Sequence, residues 1–256
     1  MILEVKDLCK IYDSGVIRKN KVRAVDHVSF SMEEGEILGL IGGSGCGKTT
    51  LTKMILGLLE PTEGKIFYEG KEITGLKKKQ WKELRKDIQV VFQHPQMTFN
   101  PRGTIKSACL EPAVNYGLVK TKEEKEKLAE HLIRQVGITK DQLKKYPHEL
   151  SGGQAQRLSI IRALSLNPRF LICDEPTSML DVSVQAQILN LLQRKHKEQK
   201  LSILFISHDL DVVQAFCSKV AVMKDGKILE TGRTEEVFRN PQNEYTKKLL
   251  DSRMIF

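Results

Sequence analysis

Apolar and polar positions along this chain follow two alternating patterns, short continuous apolar runs and longer stretches of helical periodicity. The apolar runs that predict strands are 36–41 (EILGLI), 88–92 (IQVVF), 170–173 (FLIC), 202–206 (SILFI) and 220–223 (VAVM). FLIC and VAVM contain no polar residue and the other three runs contain one each, as expected of strands that are buried on both faces. Strands that alternate with helices in this way predict an α/β fold with a mainly parallel sheet.

Three other regions depart from that pattern. Near the N-terminus LEVKDL and VRAVDHVSFSM alternate, and Lys65–Tyr68 follows the turn PTEG, so we expect a separate antiparallel β subdomain. Asp225-Gly226, between VAVMK and KILET, predicts a hairpin. Between about 94 and 168 helical periodicity replaces the strand pattern, which predicts an inserted helical subdomain and leaves 1–93 and 169–256 as the core.

Composition narrows the class of protein. The 256 residues include 41 Lys and Arg against 32 Asp and Glu, a net charge of +9, and the basic residues are mixed with acidic ones, which favours solvated helix faces over a nucleic-acid or membrane surface. No apolar run approaches the roughly 18 residues of a membrane span, and the start lacks the features of a signal peptide, so we expect a cytoplasmic protein. Five scattered cysteines without a C-x-x-C pair predict free thiols and exclude a small disulfide-stapled scaffold.

The segment GGSGCGKT at 42–49 fits the pattern G-x-x-x-x-G-K-[ST], and it lies directly after a buried strand and before the helical run TTLTKMILG. Glycines let the backbone bend until successive N–H groups face one anion, and the positive end of the following helix adds to the attraction. We expect Lys48 to contact the β- and γ-phosphates of a nucleotide and Thr49 to hold Mg²⁺. The residues predicted to cradle the nucleotide are Gly42, Gly43, Ser44, Gly45, Cys46, Gly47, Lys48, Thr49 and Thr50.

Two carboxylates, Asp174 and Glu175, follow the apolar run FLIC. They stand at the C-terminal edge of a buried strand, where α/β sheets bind ligands. Read alone, such a pair is more often a turn or a helix cap. In a chain that also has a phosphate-binding loop, we expect Asp174 to bind in the Mg²⁺ shell and Glu175 to orient and deprotonate the water that attacks the γ-phosphate.

The stretch LSGGQ at 150–154, followed by AQRLSIIRALSLNP, resembles the signature sequence of ATP-binding cassette (ABC) proteins. The resemblance implies a P-loop NTPase (RecA-like) core that binds ATP with Mg²⁺ and hydrolyses the ATP. It also implies that two cassettes pack head to tail, each signature closing over ATP held by the other's phosphate loop. A helix start favours an anion through its positive end. The signature residues implied to contact ATP are Ser151, Gly152, Gly153 and Gln154.

Four further positions resemble motifs of the family, in the expected order along the chain. Gln93 resembles the glutamine that touches Mg²⁺ or the attacking water. Asp181, in SMLD, resembles the D-loop aspartate, with Met179 where alanine is commoner, and His208 resembles the switch histidine that contacts the γ-phosphate. Tyr12 stands where the family places an aromatic ring against adenine, and a plain surface tyrosine is the alternative.

The stretch QHPQMTFNPRGT at 93–104 resembles ATPases that power oligopeptide, dipeptide and nickel importers. The last segment, NPQNEYTKKLLDSRMIF, resembles the start of a longer tail of peptide-importer ATPases and then stops, which favours the compact nickel or metallophore type and leaves the peptide type open. The resemblance implies two membrane permease subunits, a paralogous ATPase as the second cassette (a homodimer stays open) and an extracytoplasmic solute-binding protein. It also implies a place at the cytoplasmic face of the cell membrane.

The same resemblance implies a groove beside Gln93 that receives a coupling helix of the permease. The alternative is a loop that only packs on the helical subdomain. The candidate groove residues are Met97, Phe99, Pro101 and Arg102. Cassette ATPases that act on DNA or ribosomes are a different functional class, and the 57 residues between Gln93 and Ser151 leave no room for the long coiled coil of the chromosome-maintenance type.

Overall fold

The computed structural model of the chain describes residues 1–14, 20–178 and 180–251, so Met179 lies outside the described residues. The strands of the described part are β1 (Leu3–Ser14), β2 (Asn20–Met32), β3 (Ile37–Ile41), β4 (Glu63–Tyr68), β5 (Lys71–Glu72), β6 (Ile88–Val91), β7 (Phe170–Asp174), β8 (Ser202–Ile206), β9 (Lys219–Lys224) and β10 (Lys227–Arg233). The α-helices are α1 (Lys48–Ile55), α2 (Lys78–Asp87), α3 (Ile105–Asn115), α4 (Lys122–Arg134), α5 (Gly152–Leu164), α6 (Val182–Gln199), α7 (Leu210–Phe216), α8 (Thr234–Arg239) and α9 (Glu244–Asp251). Single 3₁₀ turns occupy Pro95–Thr98, Asp141–Lys144 and Pro147–Glu149.

The first of two compact units comprises the described residues of Met1–Leu84 and Ser202–Phe256. It contains an antiparallel sheet in the order β2-β1-β4-β5 and a second set of strands in the order β10-β9-β3-β8. In that second set β3 is parallel to β8 and β9, and β10 is antiparallel to β9. Every residue of β3 and β8 is buried, which is why both segments are continuous apolar runs in the sequence.

The second unit comprises Arg85–Leu201. Its strands β6 and β7 pair in parallel, with Ile88 opposite Phe170 and Val91 opposite Cys173. Buried apolar side chains of α3, α4 and α5 supply much of the helical core of this unit. A capping box at Thr121 starts α4, because Thr121 and Glu124 each accept a hydrogen bond from the other's backbone N–H. Because β6 and β7 run in parallel and in register, the loops that follow them begin side by side.

Most of the predicted elements are confirmed by these bounds. The N-terminal antiparallel sheet is present, and Asp225 and Gly226 turn the β9–β10 hairpin with φ angles of 47° and 81°. The strand predicted to reach Phe92 ends at Val91, and β7 runs one residue further than predicted, to Asp174. The compact units divide the chain after Leu84 and after Leu201, so the helical subdomain over 94–168 stays a prediction.

The structure bears on the state of the cysteines and on possible membrane spans. The five cysteines, all within the described residues, are buried and form no disulfide bond, as predicted. Among the described residues, no helix combines the length and the apolar character that crossing a bilayer requires.

Candidate functional site

The phosphate-binding loop leaves the buried strand β3 and leads into α1, as the motif predicts. Two of its glycines are needed for space. A Cβ on Gly42 would lie 2.1 Å from the carbonyl oxygen of Met223, and one on Gly47 would lie 2.2 Å from the carbonyl oxygen of Ala24. Gly47 also has a φ of 110°, a conformation that glycine adopts at little cost. Carbonyl groups of β9 and β2 therefore lie so close to the two ends of the loop that only glycine fits at either position.

Lys48 lies inside this loop with only 8% of its surface exposed. Its Nζ donates hydrogen bonds to the carbonyl oxygens of Gly42 and Gly43 at 2.8 and 3.0 Å, and the Sγ of Cys46 lies 3.6 Å away. The ammonium is thus held by the backbone of its own loop. An incoming phosphate must offer Lys48 better partners than these two carbonyl groups.

The start of α1 is suited to an anion. Gly47 is the N-cap residue, and no side chain of the described residues caps the helix there. The first N–H groups of a helix have no partner within the helix, and together with the helix dipole they attract negative charge. Ser44, Gly45 and Thr49 are exposed, Thr50 is partly exposed, and Cys46 is buried.

The same unit contains Tyr12 and His208. Tyr12 is 39% exposed, and the Nζ of Lys10 lies 5.5 Å from the centroid of its ring. His208 is exposed between β8 and α7, whose first turn is capped by Asp209 through hydrogen bonds from two backbone N–H groups. Both side chains are therefore accessible to a ligand, and their predicted contacts with adenine and the γ-phosphate stay predictions.

In the second unit, the ends of the paired strands β6 and β7 bring Gln93 and Glu175 together. The Nε2 of Gln93 donates a hydrogen bond of 2.7 Å to Oε2 of Glu175. Glu175 has a φ of 49°, unusual for a residue other than glycine, and its carbonyl oxygen accepts hydrogen bonds from the N–H and the hydroxyl of Ser178. Non-glycine residues held in this conformation cluster at functional sites. Asp174 precedes this turn as the last residue of β7 and is partly buried.

The signature segment forms the start of α5 in the same unit. Ser151 is its N-cap residue and shares a capping box with Gln154, since Ser151 Oγ accepts from the Gln154 N–H and Gln154 Oε1 accepts from the Ser151 N–H. Gly152 and Gly153 follow, and a Cβ on Gly153 would lie 2.9 Å from Cγ1 of Val184. The small residues at this helix start thus allow α6 to pack closely against it.

Asp181 caps that neighbouring helix α6. Its Oδ1 accepts hydrogen bonds from the hydroxyl of Ser183 at 2.6 Å and from the N–H of Val184 at 2.9 Å, and these bonds lower the pKa of Asp181. Val182, the first residue of α6, is 83% exposed. The predicted signature and D-loop residues therefore stand at two helix starts that Gly153 and Val184 bring into contact, beside an exposed apolar side chain.

The candidate coupling residues after Gln93 divide into two groups. Met97, Pro101 and Arg102 are exposed, and Met97 reaches 84%. Phe99 is buried, with the guanidinium of Arg162 lying 5.7 Å from its ring centroid. Arg162 also donates to the carbonyl oxygen of Thr98 at 3.0 Å. For Phe99 this arrangement favours the alternative of a packing residue, and a cavity of about 270 Å³ lies beside it, lined in part by Phe92, Thr98, Pro112 and Arg162.

Comparisons with known proteins identify the family. A family model described as "ABC transporter" matches residues 25–178, more than half of the chain. The chain belongs to the ABC transporter family. It is 43% identical to the oligopeptide transport ATP-binding protein OppF of Streptococcus mutans, over 98% of this chain and 81% of that protein, and 45% identical to AppF of Bacillus subtilis, over 98% and 78%.

Solved structures agree with this assignment. The dimeric ATP-binding cassette MJ0796, described in a post-hydrolysis state bound to ADP and Pi, matches with a TM-score of 0.83 and 28% identity, over 91% of this chain and 99% of that one. The protein cbiO1 of Clostridium perfringens, described as part of the ABC transporter complex cbiONQ, matches with a TM-score of 0.80 and 31% identity, over 99% of this chain and 96% of that one. The predicted α/β P-loop NTPase fold is confirmed, and the chain is an ABC-type ATPase that binds ATP.

Two contacts at the site have no signal in the sequence motifs. The hydroxyl of Tyr245, in α9, accepts a hydrogen bond of 3.1 Å from the N–H of Gly43. Val184 packs on Gly153 in the second unit. Both residues lie far along the chain from the motif they touch, and neither belongs to a spacing pattern that spans the two positions.

Proposed function

We propose that this chain is the ATP-hydrolysing subunit of an importer for oligopeptides. The observation that carries the catalytic part is the hydrogen bond between Gln93 and Glu175, since it places an amide and a carboxylate where one water can contact both. The class of cargo rests on the oligopeptide relatives, which are 42–45% identical over 98% of the chain. These relatives favour the peptide type over the nickel type, and the relatives and structures named above give no support to the nucleic-acid alternative.

The residues of the first unit bind and orient ATP in this proposal. Lys48 leaves the carbonyl oxygens of Gly42 and Gly43 and contacts the β- and γ-phosphates, while the open start of α1 supplies further N–H donors. Tyr12 contacts the adenine ring, and His208 contacts the γ-phosphate. These roles follow from a buried but reachable ammonium, an uncapped helix start and two accessible side chains.

The residues of the second unit act on the water. Glu175 takes the proton of the attacking water as a general base, and Gln93 fixes the carboxylate and the water in one orientation. Mg²⁺, when bound by Thr49, Gln93 and Asp174, supplies positive charge that neutralises the phosphate oxygens. Hydroxyl, amide and carboxylate oxygens suit this ion, which prefers oxygen ligands.

The signature half of the proposal concerns a second cassette. Ser151 and the N–H groups of Gly152 and Gly153, at the start of α5, bind the γ-phosphate of ATP held by the partner cassette, and Asp181 lies at the same interface. The exposed Val182 gives that interface an apolar contact. The second cassette is a paralogous ATPase or a second copy of this chain. Both cassettes dock on two permease subunits at the cytoplasmic face of the membrane, fed by a solute-binding protein.

Uptake in cells tests the cargo and the catalytic role together. Cells that lack this chain should lose uptake of a labelled oligopeptide and keep uptake of radioactive nickel. Wild-type chain should restore peptide uptake, whereas Glu175→Gln should not. Unchanged peptide uptake together with lost nickel uptake would replace the peptide proposal with the nickel one.

A further inference from the structure

Gly43, the second residue of the GGSGCGKT segment, connects the phosphate-binding loop to helix α9. The N–H of Gly43 donates a hydrogen bond of 3.1 Å to the hydroxyl of Tyr245, and the carbonyl oxygen of Gly43 accepts from Lys48 Nζ at 3.0 Å. Among the described residues, and apart from its neighbours in the chain, a Cβ built on Gly43 would meet only this hydroxyl within 4 Å, at 3.3 Å. Both polar backbone groups of Gly43 are therefore engaged, one by the nucleotide-binding lysine and one by helix α9.

The ring of Tyr245 lies against Lys224 of β9, the strand whose Met223 carbonyl group also lies beside Gly42 of the loop. The Nζ of Lys224, at the end of β9, lies 4.8 Å from the ring centroid, a cation–π distance. Asn243 caps the start of α9, since its Oδ1 accepts from the N–H of Tyr245 at 2.8 Å. The hydroxyl therefore meets Gly43 from a fixed ring, rather than from a side chain that samples many rotamers.

Glu230 on β10 fixes the beginning of that helix segment. Its carboxylate accepts hydrogen bonds from the N–H groups of Gln242 and Asn243 at 2.8 and 3.1 Å. Partial burial by itself would raise the pKa of Glu230, but these hydrogen bonds, together with the neighbouring Thr246 and Lys247, outweigh burial and lower it. The carboxylate is therefore charged at neutral pH and anchors the turn that delivers Tyr245.

The carbonyl oxygen of Gly43 also accepts from the Cys46 N–H at 3.4 Å, within the loop. The bonds of Gly43 to Lys48 and to Tyr245 differ in what nucleotide binding does to them. Lys48 has to give up partners in the loop to reach a phosphate, because all three of its donors are used there, on the carbonyl oxygens of Gly42 and Gly43 and on the Sγ of Cys46. The bond from the Gly43 N–H to Tyr245 involves neither Lys48 nor the exposed part of the loop. It can persist, and it then holds the first half of the loop while Lys48 moves.

We infer that Tyr245 is a positioning residue for ATP binding, which keeps the phosphate-binding loop in its binding conformation after Lys48 has released it. This inference rests on the proposed role of residues 42–49 as the ATP phosphate site. Without the hydroxyl the loop has more conformations to lose on binding, so nucleotide affinity falls. Turnover at saturating ATP does not change, because Tyr245 does not touch the reacting atoms.

Tyr245→Phe is the direct test, since it removes the hydroxyl and leaves the ring beneath Lys224. The matched control is Tyr116→Phe, because Tyr116 also lies near a lysine, with Lys86 Nζ 5.3 Å from its ring centroid, and it belongs to the other compact unit. We expect the Kd for MgATP, measured by titration calorimetry, to rise about fivefold in Tyr245→Phe, the equivalent of one neutral hydrogen bond. The control should match the wild type, and kcat at saturating ATP should be unchanged in both.

Amide hydrogen exchange supplies a second readout. Without nucleotide, the Gly43 amide of the wild type should exchange more slowly than that of the exposed Gly45; this protection of Gly43 should persist in MgATP, and Tyr245→Phe should remove it. Equal exchange of Gly43 and Gly45 in the nucleotide-free wild type, or an unchanged Kd in Tyr245→Phe, would overturn the inference. Lys48→Ala distinguishes failure of the proposed phosphate site from failure of the role of Tyr245. If Lys48→Ala binds MgATP normally, the proposed phosphate site is wrong. If Lys48→Ala loses binding while Tyr245→Phe has no effect, only the role of Tyr245 is wrong.

Discussion

Replacing Gly47 by alanine should damage the phosphate-binding loop in two separable ways. The first is conformational, because Gly47 has a φ of 110° and a side chain there costs about 1–2 kcal/mol of stability. The second is steric, because the new Cβ would stand 2.2 Å from the Ala24 carbonyl oxygen and 2.8 Å from Cε of Met223. The loop and β2 would have to separate by roughly 1 Å to restore an ordinary contact.

The steric part should appear in catalysis. A misplacement of about 1 Å can lower a rate by about 100-fold, equivalent to about 2.7 kcal/mol. We therefore expect kcat/KM for ATP, measured by phosphate release, to fall about 100-fold in Gly47→Ala.

Gly70→Ala is the matched control. Gly70 also has a positive φ, of 74°, but a Cβ there would meet no atom of another described residue within 4 Å, its chain neighbours aside. This variant should lose about 1–2 kcal/mol in chemical denaturation and keep the wild-type kcat/KM. A folded Gly47→Ala protein with wild-type kcat/KM would refute the view that this glycine fits the loop between β2 and β9.

Three further substitutions have distinct expected outcomes. Glu175→Gln should lower the rate of single-turnover hydrolysis by about 10²–10⁴-fold, because the general base is lost. Its melting temperature should change little, because the amide oxygen of the new side chain can still accept the hydrogen bond from Gln93. Ordinary turnover would remove Glu175 from its assigned role. Glu230→Gln should lower the free energy of unfolding at pH 7. Because folding lowers the pKa of Glu230, the charged carboxylate contributes its full stability above the ordinary pKa of 4.5, and this stability is lost as the pH falls through the folded pKa. A stability difference between the variant and the wild type that persists in acid would contradict the anchoring role. Met97→Asp, at a site that is 84% exposed, should leave ATPase activity intact and abolish transport in reconstituted vesicles, and unchanged transport would remove this residue from the docking surface.

Local signals were enough to predict the chain's elements and motifs. The apolar runs at β3, β7 and β8 have the composition that burial on both faces requires. Lys48 and Glu175 follow β3 and β7 along the chain, so the sequence already placed each of them near the end of a buried strand. The loop at 42–49 could be proposed as the phosphate site residue by residue, because that chemistry depends on backbone N–H groups and on glycines at fixed spacing.

Contacts between polar groups distant along the chain could not be predicted in the same way. Gly43 and Tyr245 are 202 positions apart, and a single hydrogen bond imposes no periodicity on either segment. Glu175 has a left-handed backbone conformation, which cannot be predicted from its residue type because glutamate rarely adopts it. Phe99 was grouped with exposed neighbours because nothing in its own segment indicates that Arg162, from α5, lies beside its ring.

The dependence of ATPase rate on subunit concentration tests most directly the claim that each active site needs a second cassette. Phosphate release per subunit should rise with concentration, alone or with added paralogous ATPase, in step with a dimer seen by sedimentation in MgATP. Ser151→Glu, which puts a negative charge at the start of α5, should abolish both the dimer and the rise. A rate per subunit that is high and constant while every molecule sediments as a monomer would contradict the composite site.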